Sequence, residues 1–276
     1  MIATPVSTAP ELSPADFRQI AALVRGVAGI NLQPGKEGLV RARLSRRLRA
    51  LGLDGFPAYL ARLRADPEDA ELRAMVDALT TNKTSFFREA RHFDHLATSV
   101  LPVLAAAGRA PCLWSAGCST GEEPYTLAMV LRDTLPEPLL GLARILATDI
   151  SARVLDHAAA ARYAPDAVAD VPETLRRRHL VCEADGHWRV APELRRLVHL
   201  ARLNLVGEWP MRGPFDAIFC RNVMIYFDRP TQARLVARFR ALLAPGGHLY
   251  LGHAESLTGL APGFAYVQPA VYRRTD

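Results

Sequence analysis

The residues with the clearest chemical pattern lie in a short segment from Leu113 to Tyr125. Its sequence, LWSAGCSTGEEPY, is typical of a buried strand, a glycine-rich turn and the first turn of a helix. Such a turn brings backbone N–H groups against a small ligand at the end of a parallel strand. Glu122 and Glu123 follow the turn, where two carboxylates would repel a phosphate. The segment therefore predicts a nucleoside-like ligand without phosphates, and a cationic ligand would suit the acids.

Polar side chains also follow two further predicted strands. Asp149 ends one strand, where an acid can hydrogen-bond a ribose diol, and Arg221 and Asn222 follow another, with Tyr226 a few residues on. Ligands of open parallel sheets bind at these carboxyl ends. The glycines of the first turn do not have the Gly-x-Gly-x-x-Gly spacing, and no Lys-Ser or Lys-Thr follows, which argues against a phosphate loop. The combination indicates S-adenosylmethionine, which has a ribose, an α-amino group and a sulfonium but no phosphate.

The elements that must position these groups alternate between strands and helices from about residue 110. This alternation predicts an α/β domain with a mostly parallel sheet covered by helices. Asp185-Gly186, between two short apolar runs, is a hairpin signal. If Val198–Leu203 is added as a third strand, the hairpin predicts a small antiparallel insert at about 176–203. The predicted strands are 111–116, 145–149, 215–220, 248–251 and 270–273; the helices are 123–134, 151–161 (capped by Ser151) and 231–243; a turn is predicted at 244–247.

The first eighty residues are predicted to be all-helical. Ser13-Pro14-Ala15-Asp16 is a strong helix start, with a capping Ser, a Pro at the first helical position and an acid in the first turn. Gly52 is well placed to end the second helix. The predicted helices run over about 14–28, 36–51 and 56–63, and from Asp66-Pro67-Glu68-Asp69 to about Leu79.

The composition sets broad limits. The chain has 276 residues, of which 50% are hydrophobic, so it can form one large or two smaller domains with a sizeable core. No apolar run approaches the ~20 residues of a membrane span, and residues 1–10, expected to be a loose tail, lack the pattern of a secretory signal. The four cysteines form no Cys-x-x-Cys pair. We therefore expect a cytoplasmic protein with reduced thiols and no metal site.

An arginine cluster is the main feature of the charge distribution. The net charge is +6, and Arg41, Arg43, Arg46, Arg47 and Arg49 fall within nine residues that contain no acid. This pattern favours an acidic partner such as a nucleic acid, an anionic lipid or an acidic protein surface. A solvated helix face is the alternative.

The segment from Thr80 to Arg88 joins the two kinds of sequence. It is a polar run followed by two aromatic residues and an arginine. We favour a ligand-facing segment at a domain junction, because hydrogen-bonding side chains lie next to aromatic ones. An ordinary loop before a helix near Glu89 is the alternative.

Five segments closely resemble the CheR-type chemotaxis receptor methyltransferases, and the likeness extends from about Pro14 to Tyr272. The most specific segment is FDAIFCRNVMIYFD, from Phe215 to Asp228. The others lie at 81–88, 114–125, 147–150 and 245–256.

The resemblance implies a Rossmann-like class I methyltransferase domain with a mixed sheet at 83–276, preceded by an all-α domain at 1–82. It implies S-adenosylmethionine as cofactor, S-adenosylhomocysteine as product and methylation of protein glutamate side chains. Glu123 is then the cofactor ligand of the acid pair, and Glu122 is a helix-start charge without a direct role. The implied cofactor contacts, to which the glycine turn adds Gly117, are Asn82, Thr84, Arg88, Glu123, Asp149, Asn204, Leu205, Arg221 and Asn222.

The implied reaction is direct displacement at the methyl carbon by a glutamate carboxylate. With a pKa of about 4.3, glutamate is already ionised at neutral pH, so no general base is needed. Holding the reacting groups in line can contribute roughly 7–11 kcal/mol. We expect Arg88 and Tyr226 to orient the carboxylate or close over the cofactor; for Tyr226, a core aromatic is the alternative. His253 and Glu255 are expected to be structural loop residues; an acid–base pair is the alternative.

The resemblance also implies the partners. The all-α domain would recognise the cytoplasmic methylation helices of chemoreceptors, and Arg43, Arg46 and Arg47 would steer that acidic surface towards the site. Some members dock a C-terminal receptor peptide on the β-insert, but the turn at 183–187 is shorter and poorer in glycine than theirs, which argues against such a tether. A monomer that binds no nucleic acid and does not insert into membranes is expected.

Three other classes remain as alternatives. A nucleic-acid methyltransferase would share the fold and a basic patch, but Asn222-Val223-Met224-Ile225-Tyr226 lacks the prolines of an Asn-Pro-Pro-Tyr base pocket. A nicotinamide dehydrogenase would need room for a pyrophosphate, which Glu123 opposes. A non-catalytic adaptor would be expected to lose cofactor side chains, and none is missing.

Overall fold

The computed structural model describes residues 10–65, 70–259 and 262–276. The chain divides into two compact units, Met1–Thr81 and Asn82–Asp276. The first is called the helical unit here and the second the sheet unit, and each is described by itself. The expected loose tail at 1–9 and the helix start at Asp66–Asp69 lie outside the described residues.

The helical unit consists of amphipathic helices that bury one face each, as the sequence predicts. Ser13 caps the first helix by accepting a hydrogen bond from Asp16 N at 3.1 Å. Gly52 has a positive φ of +64° directly after the second helix, as expected of a helix-ending glycine. Helix α2 packs against α4, and α1 against α3. The described helices are α1 (Pro14–Ala28), α2 (Glu37–Ala50), α3 (Phe56–Ala65) and α4 (Ala70–Leu79).

The sheet unit alternates strands and helices, as predicted. Its described helices are α5 (Arg91–His95), α6 (Leu101–Ala106), α7 (Glu122–Thr134), α8 (Glu137–Leu140), α9 (Ala152–Ala160), α10 (Glu173–His179), α11 (Pro192–Arg195) and α12 (Arg229–Leu242). A π-helical turn joins α5 to α6. The strands are β1 (Cys112–Ala116), β2 (Arg144–Asp149), β3 (Arg162–Tyr163), β4 (Leu180–Cys182), β5 (Trp188–Val190), β6 (Val198–Arg202), β7 (Phe215–Cys220), β8 (Leu243–Leu251), β9 (Phe264–Gln268) and β10 (Val271–Arg274).

The main sheet is mixed and mostly parallel. Its order is β6-β2-β1-β7-β8-β10-β9. The first five of these strands pair in parallel, whereas β10 is antiparallel to both of its neighbours. The strand order runs from β1 outwards to β2 and β6 on one side and to β7 and β8 on the other, and the parallel pairing places the carboxyl ends of β1, β2 and β7 at one edge. That edge is the topological switch point, where ligands bind in open α/β sheets.

Alternate residues of the central strands form two cores, one on each face of the main sheet. Leu113, Ala217 and Phe219 belong to one cluster. Their neighbours Trp114 and Ile218 belong to the other, which includes the inner face of α12. Burial on both faces is typical of a parallel sheet between helical layers. The predicted fold class is confirmed.

The small antiparallel sheet is also present, but the prediction of its third strand is wrong. Its order is β3-β5-β4. Val198–Arg202, predicted to complete it, is β6 of the main sheet and pairs in parallel with β2 from Ile145↔Val198 to Asp149↔Arg202. The third strand of the small sheet is β3, which is too short to show an alternating pattern in the sequence.

Two local predictions also need correction. Ser151 precedes α9 but its side chain makes no capping hydrogen bond; instead its backbone N–H donates to Asp149 Oδ1 at 3.0 Å. The predicted turn at 244–247 lies inside β8, where the register to β7 shifts between Phe215 and Ala217. The glycines there form an irregular, bulged stretch of strand.

No helix in the described residues is long and apolar enough to cross a membrane.

Candidate active site

The glycine turn after β1 is fastened to the end of β2. Gly117 has a φ of +92°, and Gly117 N and Cys118 N both donate to Thr148 O, at 2.8 and 2.9 Å. Asp149 accepts from Ser119 N through Oδ2 at 2.9 Å and from Ser151 N through Oδ1 at 3.0 Å. Asp149 thus fixes the turn and the start of α9.

Both glycines of the turn are required by close packing. A Cβ at Gly117 would overlap Val223 of the loop after β7, and a Cβ at Gly121 would lie 2.8 Å from Tyr163 Oη. Gly121 also has a φ of +100°, which residues with a Cβ rarely adopt. The turn is therefore held tightly against two neighbouring segments.

A buried arginine lies between two carboxylates at the same edge. The Arg221 side chain is 2% exposed, with Nη1 3.0 Å from Glu123 Oε2 and Nη2 3.1 Å from Glu89 Oε2. Nη2 also donates to the Arg88 carbonyl, and Ser115 Oγ donates to Glu123 Oε1 at 2.6 Å. This group of Glu89, Glu123 and Arg221, called the site cluster below, has two potential negative charges and one positive charge.

The pKa values of the two acids of the site cluster are shifted in opposite directions. Burial raises the pKa of Glu123, although Arg221 and Ser115 favour its ionised form. Burial also acts to raise the pKa of Glu89, but Arg221 and the backbone N–H of His253 hold it below its usual value. Burial and the nearby Arg221 charge lower the pKa of His92 to about 4. His92 is therefore neutral near pH 7 and does not balance the acids.

The loop after β7 is held by backbone hydrogen bonds to Glu255. Asn222 N donates to Glu255 Oε2 at 2.8 Å, and Ile225 N donates to Oε1 at 3.1 Å. Asn222 has a φ of +59°, and its Nδ2 lies 3.4 Å from Glu89 Oε1. A Cβ at Gly252 would lie 2.8 Å from both Asn222 Cγ and Asn222 N. Gly252 thus leaves the space that Asn222 occupies.

Unusual backbone conformations concentrate at this edge. The described non-glycine residues with positive φ include Phe87, Glu89, Ser119 and Asn222, at +53°, +57°, +50° and +59°. Such conformations persist where surrounding contacts over-determine them, and they are common at functional sites.

The segment from Asn82 to Arg88 lies against the glycine turn. Ser119 Oγ donates to Asn82 O at 3.1 Å, and Phe86 packs edge-on to Tyr163 with ring centroids 4.9 Å apart. Thr84 is half-buried, and Arg88 Nη1 donates to Lys83 O at 2.7 Å. The segment therefore adjoins the site cluster.

The loop after β6 holds the other two predicted cofactor residues. Asn204 Oδ1 accepts from Val206 N at 3.2 Å, which stabilises a turn. Leu205 is buried, and its carbonyl accepts from Trp209 Nε1 at 3.1 Å and Arg238 Nη1 at 2.9 Å. These contacts fix the loop beside the end of β2.

Similarity to known proteins shows the family of the chain. The CheR methyltransferase SAM-binding domain matches residues 82–272, and the CheR methyltransferase all-alpha domain matches residues 15–80. The chain belongs to the CheR methyltransferase family. It is 43% identical to a chemotaxis protein methyltransferase of Klebsiella aerogenes, over 96% of this chain and 91% of the relative. It is 42% identical to one of Salmonella typhimurium (95% and 90%) and 36% identical to one of Borreliella burgdorferi (94% of each).

The residues of this CheR family member fit its cofactor, S-adenosylmethionine. Glu123 and Asp149 place carboxylates at the ends of β1 and β2, and no lysine or arginine lies in the Gly117–Glu123 turn to hold a phosphate. Acids at these places suit a ribose and a cationic group. The chain is a SAM-dependent methyltransferase.

Glu122 differs from Glu123 in its surroundings. It lies in the first turn of α7, as expected, but its side chain is buried and accepts from Thr120 Oγ1 at 2.6 Å. Burial raises its pKa. Glu122 is therefore part of the packing of the turn and lacks the arginine partner that Glu123 has.

Tyr226 ends a short 3-10 turn after β7. It is half-buried, and it does not belong to the described core clusters. The alternative of a core aromatic is therefore not supported.

Sequence reasoning missed Glu89 and the partners of Glu255. Glu89 directly follows the recognised Arg88, but nothing in its local pattern indicates a contact with Arg221. Glu89, His92 and His253 have potential metal-ligand atoms within 4.8 Å of one another. The Arg221 guanidinium already occupies Glu89 Oε2 and would repel a metal ion there, so we assign no metal to them.

Two of the three predicted receptor-binding arginines make hydrogen bonds within the helical unit. Arg43 Nη1 donates to Leu79 O at 2.7 Å and to Thr80 O at 3.0 Å, which satisfies the last carbonyls of α4. Arg47 forms an ion pair with the buried Glu71. Arg46 is exposed.

Proposed function

We propose that the chain methylates glutamate side chains of cytoplasmic chemoreceptor segments, forming methyl esters and S-adenosylhomocysteine. The observation that carries the proposal is the site cluster: a buried arginine between two acids, at the strand edge where a SAM-binding domain holds its cofactor. The names of the relatives, chemotaxis protein methyltransferases, support a receptor as the acceptor. A cytoplasmic location follows from that acceptor.

Residues from five segments would hold the cofactor. Glu123 and Asp149 would bind its amino group or ribose, since both are carboxylates fixed at strand ends. Arg221 would hold Glu123 and Glu89 in place, and Asn222 would contribute its side-chain amide. The remaining proposed contacts are Asn82, Thr84, Arg88, Gly117, Asn204 and Leu205.

The chemistry needs positioning more than proton transfer. When bound, S-adenosylmethionine supplies an electrophilic methyl group. The acceptor carboxylate is ionised at neutral pH, and the charges of carboxylate and sulfonium cancel during transfer, so a site that excludes water favours the reaction. Arg88 and Tyr226 would orient the carboxylate. Arg88 directly precedes Glu89 of the site cluster, Tyr226 lies on the loop that begins at Arg221, and both are half-buried and carry hydrogen-bond donors. They are the proposed catalytic residues.

The helical unit would recognise the receptor helix. Arg43, Arg46 and Arg47 remain the proposed receptor-binding residues. Arg46, which is exposed, would contact receptor acids directly, whereas Arg43 and Arg47 would contribute mainly through the positive field of α2. Charge reversal at Arg46 should weaken receptor binding and reduce its salt dependence.

The β-insert and the oligomeric state complete the proposal. Glu183 and Asp185 of the hairpin turn form ion pairs with Arg162. A turn fastened in this way has few free groups for a receptor peptide, so we propose that no C-terminal tether binds there. We propose that the chain acts as a monomer and does not bind nucleic acid.

The decisive experiment follows labelled methyl groups. The full chain is incubated with labelled S-adenosylmethionine and receptor cytoplasmic fragments, and the modified residues are mapped. Base-labile label on receptor glutamates is the expected result. Label on RNA or DNA would identify a nucleic-acid methyltransferase, and cofactor binding without transfer to any acceptor would identify an adaptor; either overturns the proposal.

Substitutions test the proposed catalytic residues. Arg88→Ala should lower turnover by ~10²-fold if the guanidinium positions the acceptor, and Tyr226→Phe by about 10-fold for the loss of one hydrogen bond. Arg132→Ala is the matched control, because Arg132 lies on the last turns of α7, away from the glycine turn, and pairs with Glu137. Near-normal turnover of Arg88→Ala would remove the role of that residue.

A further inference from the structure

Glu255 has an unusual environment for a carboxylate. It follows β8 and is 8% exposed. Its Oε2 accepts from Gly252 N at 2.6 Å and Asn222 N at 2.8 Å, and its Oε1 accepts from Ile225 N at 3.1 Å. Among the ion pairs of the described residues, none involves Glu255. Its charge is therefore held by backbone N–H groups.

Strand register brings Glu255 to this place. β7 and β8 pair in parallel with Cys220 opposite Leu251, so the residues after the two strands leave the sheet side by side. The loop after β7 carries Arg221, Asn222 and Tyr226. The loop after β8 carries Gly252 and Glu255, and the carboxylate joins the two loops.

The loop after β7 needs such an anchor. It leaves the sheet through Asn222, which has a left-handed backbone with a φ of +59°, and no strand pairing extends beyond Cys220. Hydrogen bonds to an ionised acceptor are roughly twice as strong as neutral ones. Burial raises the pKa of Glu255, while the backbone N–H groups favour the charged form. Burying this carboxylate has a cost that ordinary loop closure would not require.

We propose that Glu255 is a positioning residue, which fixes Asn222 for the cofactor and Tyr226 for the acceptor by holding the backbone of their loop. The proposal rests on the proposed function for the role of Tyr226, but its effect on cofactor binding is independent of the acceptor. Two oxygens are needed, because Oε2 holds Asn222 and Gly252 while Oε1 holds Ile225. An amide at this position would keep the shape but replace one acceptor by a donor.

The test compares Glu255→Gln with Asp216→Asn in the full chain. Asp216 is a matched control: it is also buried, and it accepts from Cys112 N at 2.9 Å and Arg109 Nη2 at 2.6 Å. It lies at the amino end of β7, at the opposite edge of the sheet. Both variants should unfold at lower temperature than the wild type. Glu255→Asp, which keeps the charge on a shorter side chain, is the conservative variant.

Cofactor binding and kcat measure the two roles of Glu255 separately, since Asn222 is positioned for the cofactor and Tyr226 for the acceptor. Glu255→Gln should weaken S-adenosylmethionine binding by at least ~10-fold and lower kcat by ~10²-fold, measured at a temperature where it is folded. Glu255→Asp should recover part of both losses, and Asp216→Asn should stay within about 2-fold of wild type. If Glu255→Gln binds and turns over S-adenosylmethionine as the wild type does, or if Asp216→Asn loses the same activity, the inference is wrong. A wild type that methylates no receptor glutamate would instead contradict the proposed function.

Discussion

Each unit of the molecule contains an arginine–glutamate cluster with a buried member, and the two clusters differ in charge balance. In the helical unit, Glu71 is 3% exposed, and it accepts from Arg47 and from Tyr59 Oη, the latter at 2.7 Å. Among the ion pairs of the described residues, Glu71 pairs with one arginine. In the site cluster of the sheet unit, Arg221 is shared by Glu123 and Glu89. Two acids meet one arginine, so a cation of the ligand can still be accommodated.

The two clusters also differ in backbone conformation. Glu71, Arg47 and Tyr59 are all on regular helices. Glu89 has a positive φ, and Asn222, next to Arg221, also does. Stability alone explains a balanced cluster on regular helices, whereas an unbalanced cluster on strained loops is typical of a site that binds something.

The two clusters should differ most in stability and cofactor binding when the arginine is removed from each. Arg221→Met leaves two largely buried acids without their arginine, so the free energy of unfolding should fall by about 3–5 kcal/mol and S-adenosylmethionine binding should be lost. Arg47→Met keeps the hydrogen bond from Tyr59 Oη to Glu71, and Arg47 is itself 33% exposed. The free energy of unfolding of this variant should fall by about 1–3 kcal/mol, with cofactor affinity unchanged. Urea unfolding and calorimetric titration measure both.

The comparison fails if Arg47→Met weakens cofactor binding as much as Arg221→Met does. Equal stability losses with cofactor binding intact in both variants would show that the site cluster is also only structural.

The sequence was sufficient to predict the main features of the site. The glycine turn, Asp149 and the Arg221-Asn222 pair could be placed together because each follows a recognisable buried strand, and parallel strands end at one edge. The contacts of Glu89 and Glu255 could not be predicted. Glu255 reaches Asn222 only because Cys220 is opposite Leu251, and register is set by pairing across the sheet.

The wrong assignment of β6 has a similar cause. Val198–Arg202 has the short apolar pattern of any edge strand, and its pattern does not say which sheet it joins. Its pairing with β2 is decided by tertiary contacts, such as Ile145 N donating to Leu197 O at 2.9 Å. The arginine cluster on α2 was likewise visible, but that Arg43 and Arg47 bond inside the helical unit depends on where α4 lies.

A smaller difference in stability is expected between the two units when one glycine of each is replaced by alanine. Gly252→Ala would force Asn222 to move, because a Cβ would lie 2.8 Å from its backbone N; we expect a loss of about 1–3 kcal/mol together with weaker cofactor binding. Gly26→Ala lies on α1 with no atom within 4 Å of the new Cβ. It should stabilise the chain by about 0.5–1 kcal/mol, since alanine loses less backbone entropy in a helix. Thermal unfolding should therefore shift in opposite directions, and a shift in the same direction would contradict the crowding at Asn222.

The smallest expected effect is a pH dependence that separates the two acids of the site cluster. The pKa of Glu89 is lower in the folded chain than in the unfolded one, so its ionisation adds stability that is present above the unfolded value and lost as pH falls through the folded value. Burial raises the pKa of Glu123, so its ionisation removes stability as pH rises from the unfolded value through the folded one.

Urea unfolding of wild type, Glu89→Gln and Glu123→Gln between about pH 4 and 7 tests this difference. The advantage of wild type over Glu89→Gln should shrink on acidification, whereas the stability of wild type relative to Glu123→Gln should improve. Arg221 contacts both acids at nearly the same distance, so opposite slopes would show that burial and the other hydrogen bonds of each acid decide which of them holds its proton more strongly. Parallel slopes would mean that the two acids share one titration, and the site cluster would then act as a single charged unit.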